Sequence, residues 1–451
     1  MTILPNGLSK FSGSLGSPSM NSNSGQKQQP SQPWHLDKSA VSQRSKEITV
    51  LGAGIAGCTA AVALAKRGFK VRVIDRYELA GCGGSGNNQA IIYPKLSPRD
   101  EALPRINLAA IQFASHYYQS FWQQGLGVQS GVLVLPESDK AVTDFSLIAG
   151  RFTNQPDLVK LCNTAELSDI AGIDLHAELG LYFPNLGWLQ PQAICRQLLA
   201  QHQIPLIKAD IQSISHANGH WHMSHGGQDS LHGDTRKLVT EGLIIANAYD
   251  CLALEQSNFL PLTQLRGQIT QIPSNQRLGA LKTVICGEGY ITPQHQGSHG
   301  CGATYNKGLF TTQVREADHQ TNLQQMAATD QGLAEAIGPQ DPSSLDGRAN
   351  YRCTTRDYLP IVGPVPNVPQ LLEDYAPLRK DARANIPAKG SYLPNLFIHC
   401  GMGSRGTGYA PLTAEILARE IAGEEALIEP ELRLAMHPAR FLIQDLKKKR
   451  I

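Results

Sequence analysis

Charge is scarce in this sequence and balanced where it occurs: 17% of the residues are charged and the formal net charge is +2. That excludes the strongly basic surface of a general nucleic-acid binder, so any RNA contact must be local. No two of the nine cysteines, at 58, 82, 162, 195, 251, 286, 301, 353 and 400, form a CxxC pair, which fits neither a zinc ribbon nor a dithiol redox centre. Scattered thiols of this kind suit a reducing compartment. Residues 1–46 contain no charged stretch followed by an apolar one, so no secretory signal is read there. Ile48 to Ala65 is a run of 18 mostly apolar and small residues, the length of a membrane span, but its glycines argue against one. A cytoplasmic protein with no membrane partner is the expectation.

With 451 residues, 41% of them hydrophobic, the chain can bury a large core, and at ~100 to 200 residues per domain it should form two or three domains. Residues 1–46 are rich in Ser, Asn, Gln, Gly and Pro and read as a disordered tail, because they have too little apolar surface to offset the entropy of ordering. From Glu47 the pattern changes. Ile48, Val50 and Leu51 form an apolar strand, a glycine turn follows, Ala60 to Lys66 reads as a helix ending at Gly68, and Val71 to Asp75 is the next strand. This βαβ opening predicts a parallel, doubly wound sheet.

Gly131 to Pro136, Leu181 to Leu189 and Leu262 to Thr304 carry strand-like alternation punctuated by Gly and Pro, and read as a mainly antiparallel sheet. Gln192 to His202 has helical spacing and Leu243 to Ala248 is a buried-strand run, both of which suit the first domain. The last third returns to α/β character, with a strand at Leu396 to His399, a glycine-rich turn at Gly401 to Gly408 and a helix from Pro411 to about Ile421. The predicted fold is therefore α/β: a doubly wound, Rossmann-like dinucleotide-binding domain over 47–125, 190–261 and 350–451, ending in a basic tail. A substrate domain of mainly antiparallel sheet is interleaved over 126–189 and 262–349.

The run GAGIAG places Gly52, Gly54 and Gly57 directly after a strand and at the start of a helix, and Asp75 closes the next strand eighteen residues beyond Gly57. In that context the first glycine permits a tight turn, the second lets backbone approach a pyrophosphate, and the third lets the helix pack closely on the strand. The helix N-terminus offers unpaired N–H groups and the positive end of a dipole. Asp75 can accept hydrogen bonds from ribose hydroxyls. The turn alone does not separate NAD from FAD.

Three further segments do: GCGGSGNNQAIIYPKLSP (Gly81 to Pro98), YRCTTRDYLPIVG (Tyr351 to Gly363) and CGMGSRGTGYAPLTAE (Cys400 to Glu415). With the glycine turn they resemble the D-amino-acid oxidase and glycine oxidase superfamily of flavoproteins. Within it, Ser85 to Gln89, LRGQ at Leu265 to Gln268, CGEGYITP at Cys286 to Pro293, TRDYLPIVG and GSRG are similar to the FAD-dependent half of the MnmC family. Those bifunctional enzymes make 5-methylaminomethyl-2-thiouridine in tRNA. The likeness runs from Glu47 to Arg450. Only about 46 residues precede it, fewer than the ~100 of a usual domain, so methylation is not expected of this chain and would fall to a separate methyltransferase. Asn247-Ala248 stands where such flavoproteins often have a small residue followed by glycine.

The resemblance implies FAD as cofactor. The reaction it implies is oxidative removal of the carboxymethyl group from 5-carboxymethylaminomethyl-(2-thio)uridine at the tRNA wobble position, giving the 5-aminomethyl product. A small free amine such as glycine or sarcosine is the alternative substrate, and a flavin-stabilised tRNA-binding module without turnover is the alternative class. Cofactor contacts are expected from Gly52, Gly54, Ile55, Ala56, Gly57, Asp75 and Arg76, from Ser85, Gly86, Asn87 and Gln89, and from Gly401, Gly403, Ser404, Arg405 and Gly406. Arg352 matches the arginine that holds the substrate carboxylate, for which a guanidinium fork is better shaped than an ammonium; the alternative is a structural ion pair.

Arg356 could share that carboxylate, contact a phosphate or pair with Asp357. Arg405 would add positive charge beside the flavin, and Tyr290 is either a lid or substrate contact or a core aromatic. His220, His222 and His225 alternate as a hairpin strand does, and no metal is expected. Candidate tRNA contacts are Lys95, Arg99 and Arg105, then Arg379, Lys380 and Arg383, then Lys447, Lys448, Lys449 and Arg450, although such a group is more often simply solvated surface.

Overall fold

The computed structural model describes residues 31–37, 46–225 and 238–451. Two sheets dominate. The first contains β1 (Glu47–Leu51), β2 (Lys70–Asp75), β3 (Leu206–Lys208), β4 (Gly242–Ile245), β5 (Ile361–Pro366) and β6 (Tyr392–Cys400), in the spatial order β5-β6-β4-β1-β2-β3. All neighbours are parallel except β5 with β6. The chain leaves β1 toward β2 and β3 and later returns to β4 on its other side. The carboxyl ends of β1 and β4 therefore flank the point where the strand order reverses, the usual place for a ligand in a doubly wound sheet.

Two helices explain why this half holds together. In α1 (Ile55–Ala65) every residue from Ile55 to Leu64 is buried, and a helix that is apolar all round belongs inside a core. It packs on α2 (Gly406–Ala422) and on the helix Pro191–Gln201. Small residues such as Ala60 and Ala61, both 1% exposed or less, permit that three-way approach. Among the described residues no helix is long and apolar enough to cross a membrane.

The second sheet joins Val132–Val134, Lys160–Asn163 and Leu179–Phe183 to strands from the later part of the chain, chiefly Leu262–Pro273, Val284–Cys286, Ser298–Gly302 and Asp346–Thr355. Among the described residues its pairs are antiparallel except Val132–Val134 with Val284–Cys286. The long strand Asp346–Thr355 pairs residue for residue with Leu262–Gln271, so this sheet reaches past the expected change of domain at 349.

Two expectations are corrected. The tail is docked over residues 31–37: Trp34 is 7% exposed among Leu371, Tyr375, Ile386 and Leu442. Its backbone is bound too, Ser31 O accepting from Ile386 N–H and Leu36 O from Gly390 N–H, both at 2.8 Å. One indole and these bonds order a stretch whose average composition reads as solvated; the rest of the tail, 1–30 and 38–45, lies outside the described residues. Nor does the last long helix begin at Pro411: it opens at Gly406 and carries Pro411 inside. That brings its first turn up to the glycine loop, where the cavity lies.

Candidate active site

A continuous cavity of about 670 Å³ runs from the turn after β1 to the face of the second sheet, within the ~300–1,000 Å³ of cofactor and ligand sites. At one end the backbone approaches itself closely. Gly52 has φ +112°, and a Cβ there would lie 2.6 Å from Ala246 O at the end of β4. A Cβ on Gly57 would overlap Gly52 O, so that glycine packs the helix and does not line the cavity. Gly54 caps α1 in an extended conformation. Asp75 braces the turn, its carboxylate accepting from Ala53 N–H at 2.6 Å and Tyr77 N–H at 3.0 Å, and it faces the cavity. Arg76 also lines it, paired with Asp250 at 2.9 Å and with Asp210, on the same wall, at 3.5 Å.

In the middle, α1 and α2 both point their N-termini at the cavity, so two positive dipole ends meet there. Ser85 Oγ accepts from the Ile55 N–H at 2.9 Å, which leaves its own O–H to donate. Gly401 and Gly403 have φ of +69° and +57°, and a Cβ on Gly401 would press within 2.8 Å of Thr355. Ile55, Ala56, Asn87, Ser404 and Gly406 complete this stretch. Beneath it, buried His399 ties α1 to α2, bonding Ala56 O at 3.0 Å and Thr413 Oγ1 at 2.7 Å. Burial lowers its pKa to about 4, against the pull of the Ala56 carbonyl.

Gly86 and Gln89, expected to touch the cofactor, do not line the cavity. The place where a Gly86 side chain would stand is filled by the Arg348 guanidinium. Gln89 is 2% exposed, and its amide is spent on Pro293 O, Thr292 Oγ1 and Gly300 N–H. Both hold the loop that carries Ser85 and Asn87. Arg348 binds that loop through Asn87 Oδ1 at 3.0 Å and the carbonyls of Cys82 and Gly83 at 3.0 and 2.6 Å. Sequence reasoning missed it, although two-residue alternation sets Arg348, Asn350 and Arg352 on one face of their strand.

At the far end Arg352, opposite Leu265 in the strand pair, reaches into the cavity. Its guanidinium lies over Gly267, where any Cβ would overlap it. It donates to Thr304 O at 2.9 Å and sits 4.4 Å from the Tyr305 ring centroid. No carboxylate is paired with it among the described residues, so the structural ion pair is not formed. Tyr290, Tyr93, Lys95, Glu137 and Glu288 line the same end. Burial raises the Tyr290 phenol, with Arg352 opposing, and raises the Tyr93 phenol as well, so both stay protonated at neutral pH. Partial burial lifts Glu137, against Lys95 and with Glu288 adding to it. Of these groups only Tyr290 and Lys95 were singled out from sequence; the others come from separate strands and loops and carry no local signature.

Arg405, the N-cap residue of α2, donates to Tyr409 Oη at 3.1 Å, while its Nε is buried without a partner. Asn247 Oδ1, just past the end of β4, is likewise buried and unpaired. Both residues line the cavity, and a donor and an acceptor left unpaired in its walls suit a long polar ligand such as FAD.

Arg356 does not pair with Asp357, one of the three readings of it. It grips the Asp445 carboxylate at 2.8 and 3.0 Å, and Asp357 pairs instead with Arg440 at 2.8 Å. Among the basic groups, Arg105 is enclosed by Glu429 and by Glu431 at 3.5 Å, which removes it as a phosphate contact. Arg379 donates to Ile451 O at 2.8 Å, drawing the 379–383 and 447–450 groups together. His220, His222 and His225 lie on a hairpin strand, and among the described residues no three His, Cys, Asp or Glu could hold a metal ion.

Comparison with known proteins agrees with this geometry. The chain is 34% identical over 420 residues to the tRNA 5-methylaminomethyl-2-thiouridine biosynthesis bifunctional protein MnmC of Pseudomonas putida, covering 92% of this chain and 62% of that protein. With the protein of the same name from Saccharophagus degradans the identity is 35% over 426 residues, covering 93% and 59%. The chain thus spans about three fifths of these relatives. Among solved structures, glycine oxidase from Geobacillus kaustophilus superposes with a TM-score of 0.68 at 16% identity over 88% of this chain and 99% of that one. L-proline dehydrogenase from P. horikoshii gives 0.67 at 17% over 89% and 99%; both show the fold. Residues 47–420 match the family described as FAD dependent oxidoreductase. A match of that length, over a cavity shaped for a dinucleotide, means that the chain belongs to the FAD dependent oxidoreductase family and that FAD is its cofactor.

Proposed function

We propose that this oxidoreductase removes the carboxymethyl group from 5-carboxymethylaminomethyl-(2-thio)uridine at the wobble position of tRNA. The observation that carries the reading is Arg352: a guanidinium with no carboxylate partner among the described residues, held over Gly267 and presented to the cavity beside Tyr290 and Tyr305. The likeness to the MnmC proteins over 92% of the chain supplies the substrate class.

Two oxygens of the substrate carboxylate match the planar fork of Arg352, and this fixes the adjacent methylene in one orientation. Bound FAD supplies the hydride acceptor. The methylene between nitrogen and carboxylate gives up a hydride and the nitrogen a proton, leaving a C=N bond; water adds to it and the C–N bond breaks to give aminomethyluridine and glyoxylate. Tyr290, protonated because burial raises its pKa, donates to the same carboxylate. Arg405, at the N-terminus of α2, would add positive charge beside a bound flavin and so favour its reduced, anionic form.

The test uses tRNA from cells lacking the activity. Incubation with the purified protein and nucleoside analysis should show loss of the carboxymethyl group with release of glyoxylate. Hydrogen peroxide formed from glycine or sarcosine, with none from the tRNA, would overturn the assignment.

A further inference from the structure

The LRGQ segment holds more than the cavity needs. Gly267 makes room for Arg352, but Arg266 is 0% exposed and points elsewhere. It pairs with Asp318 at 2.7 Å and donates to Thr311 O at 2.8 Å, Gln313 O at 2.6 Å and Gln268 Oε1 at 3.0 Å. Gln268 in turn accepts from Arg315 N–H and donates to Arg315 O, both at 2.8 Å, while Asn306 donates to Asp318 at 2.5 Å. A buried guanidinium is costly unless its donors are all met. Here four of its five N–H groups are bonded, at least one on each nitrogen, and what they fasten is a segment, residues 308–315, with no helix or strand of its own.

With Tyr305 just before it, that segment forms the rim of the cavity, which Tyr305 and Thr312 line. This rim displays large apolar groups to solvent: Phe310 is 71% exposed, Tyr305 59% and Val314 43%. Lys307 and Arg315 stand exposed among them, and no Asp or Glu occurs from Gly289 to Arg315. Aromatic faces interleaved with positive charge suit unpaired RNA, whose splayed bases stack on rings while cations meet the phosphates.

We propose that Tyr305–Arg315 is a stacking platform for the unpaired nucleotides flanking the reacting uridine, with a base on Phe310 and phosphates beside Lys307 and Arg315. The proposal rests on the reading of the substrate as a wobble uridine in tRNA. The Arg266–Asp318 network keeps the platform in place before RNA arrives, so little ordering cost remains at binding.

The test uses the full chain with FAD and an anticodon stem-loop RNA carrying 5-carboxymethylaminomethyluridine. Phe310→Ala should raise KM for this RNA at least about fivefold with kcat unchanged, Phe310→Trp should restore it, and Lys307→Gln should flatten the dependence of KM on salt. Retained flavin absorbance checks that each variant is folded. A wild type that converts the RNA, alongside Phe310→Ala and Lys307→Gln variants with its KM and salt dependence, would overturn the platform and leave the functional reading standing. A fall in kcat without a change in KM would also overturn it, by placing Phe310 in the chemistry. A wild type that leaves the modified uridine intact would overturn the functional reading and the platform together.

Discussion

The two ends of the cavity are built from different material. At the glycine-turn end the close approaches are mainly backbone: Gly52 against Ala246, Gly57 against Gly52, and the first amides of α1 and α2. At the substrate end they come from long side chains, Arg352, Tyr290, Tyr305 and Lys95. Backbone cannot be altered one residue at a time, so the first end should tolerate almost no added atom. The second should tolerate truncation as a structure and fail as a catalyst.

Gly57→Ala tests the first half of that contrast and should have the largest effect. The added methyl would overlap Gly52 O, a backbone atom with no room to retreat. Forcing helix from strand should cost about 3 kcal/mol, and the purified variant should be colourless or poorly folded by flavin absorbance and thermal melting. A yellow, stable Gly57→Ala protein would mean that the backbone contact is dispensable.

Arg352→Ala tests the other half. Its guanidinium is half-buried and bonded only to Thr304 O among the described residues, so its loss should leave flavin content and melting temperature unchanged. Removing one partner of a buried charged hydrogen-bond pair should lower kcat/KM roughly 100-fold. Arg352→Lys should recover only part of it, because an ammonium lacks the fork. Loss of flavin in Arg352→Ala would erase the distinction between the two ends.

This contrast also decides what was legible in the sequence. The spacing of Gly52, Gly54 and Gly57 could be read because the constraint is local: the atoms that must approach one another are carried by the same few residues. Arg352 was found only through resemblance, since its place in the cavity depends on its register with Leu265, far away along the chain. Arg348, Tyr93, Tyr305 and Glu137 were missed for the same reason. Local signals also misled. Pro411 reads as a helix start, yet α2 begins at Gly406, and Trp34 is docked within a stretch whose composition promises none of it. Gln89 stands in a loop motif that suggests cofactor contact, while its amide is turned into the second sheet.

A pH titration probes the frame under the cofactor end. His399 holds α1 to α2 as a neutral ring, its pKa pressed by burial from the ordinary 6.5 to about 4. Because the folded value is the lower one, the unfolded chain takes up the proton first as pH falls. Stability is therefore intact above pH 6.5 and is lost progressively toward pH 4. By pH 5 the loss from this one group should be about 2 kcal/mol. Buried His437, depressed by burial and by Arg433, His35 and Arg440, acts in the same direction. Urea unfolding midpoints at pH 7 and pH 5 read it directly, and equal midpoints would show that the buried rings carry no such penalty.

The smallest effect belongs to Ala248, which lines the cavity just past β4, where related flavoproteins were expected to carry glycine. The backbone does take the conformation that glycine favours, with φ +55° at Ala248. A Cβ in the left-handed region costs about 1 kcal/mol, while a glycine there makes the unfolded chain looser by about half as much. Ala248→Gly should therefore stabilise the protein by roughly 0.5 kcal/mol, seen as a higher urea midpoint with an unchanged slope. Activity should not move, since the substitution removes strain from a cofactor end already set by its glycines. A lower midpoint would instead mean that the Ala248 methyl packs well enough to outweigh its strain, making side chains as well as backbone part of that end's construction.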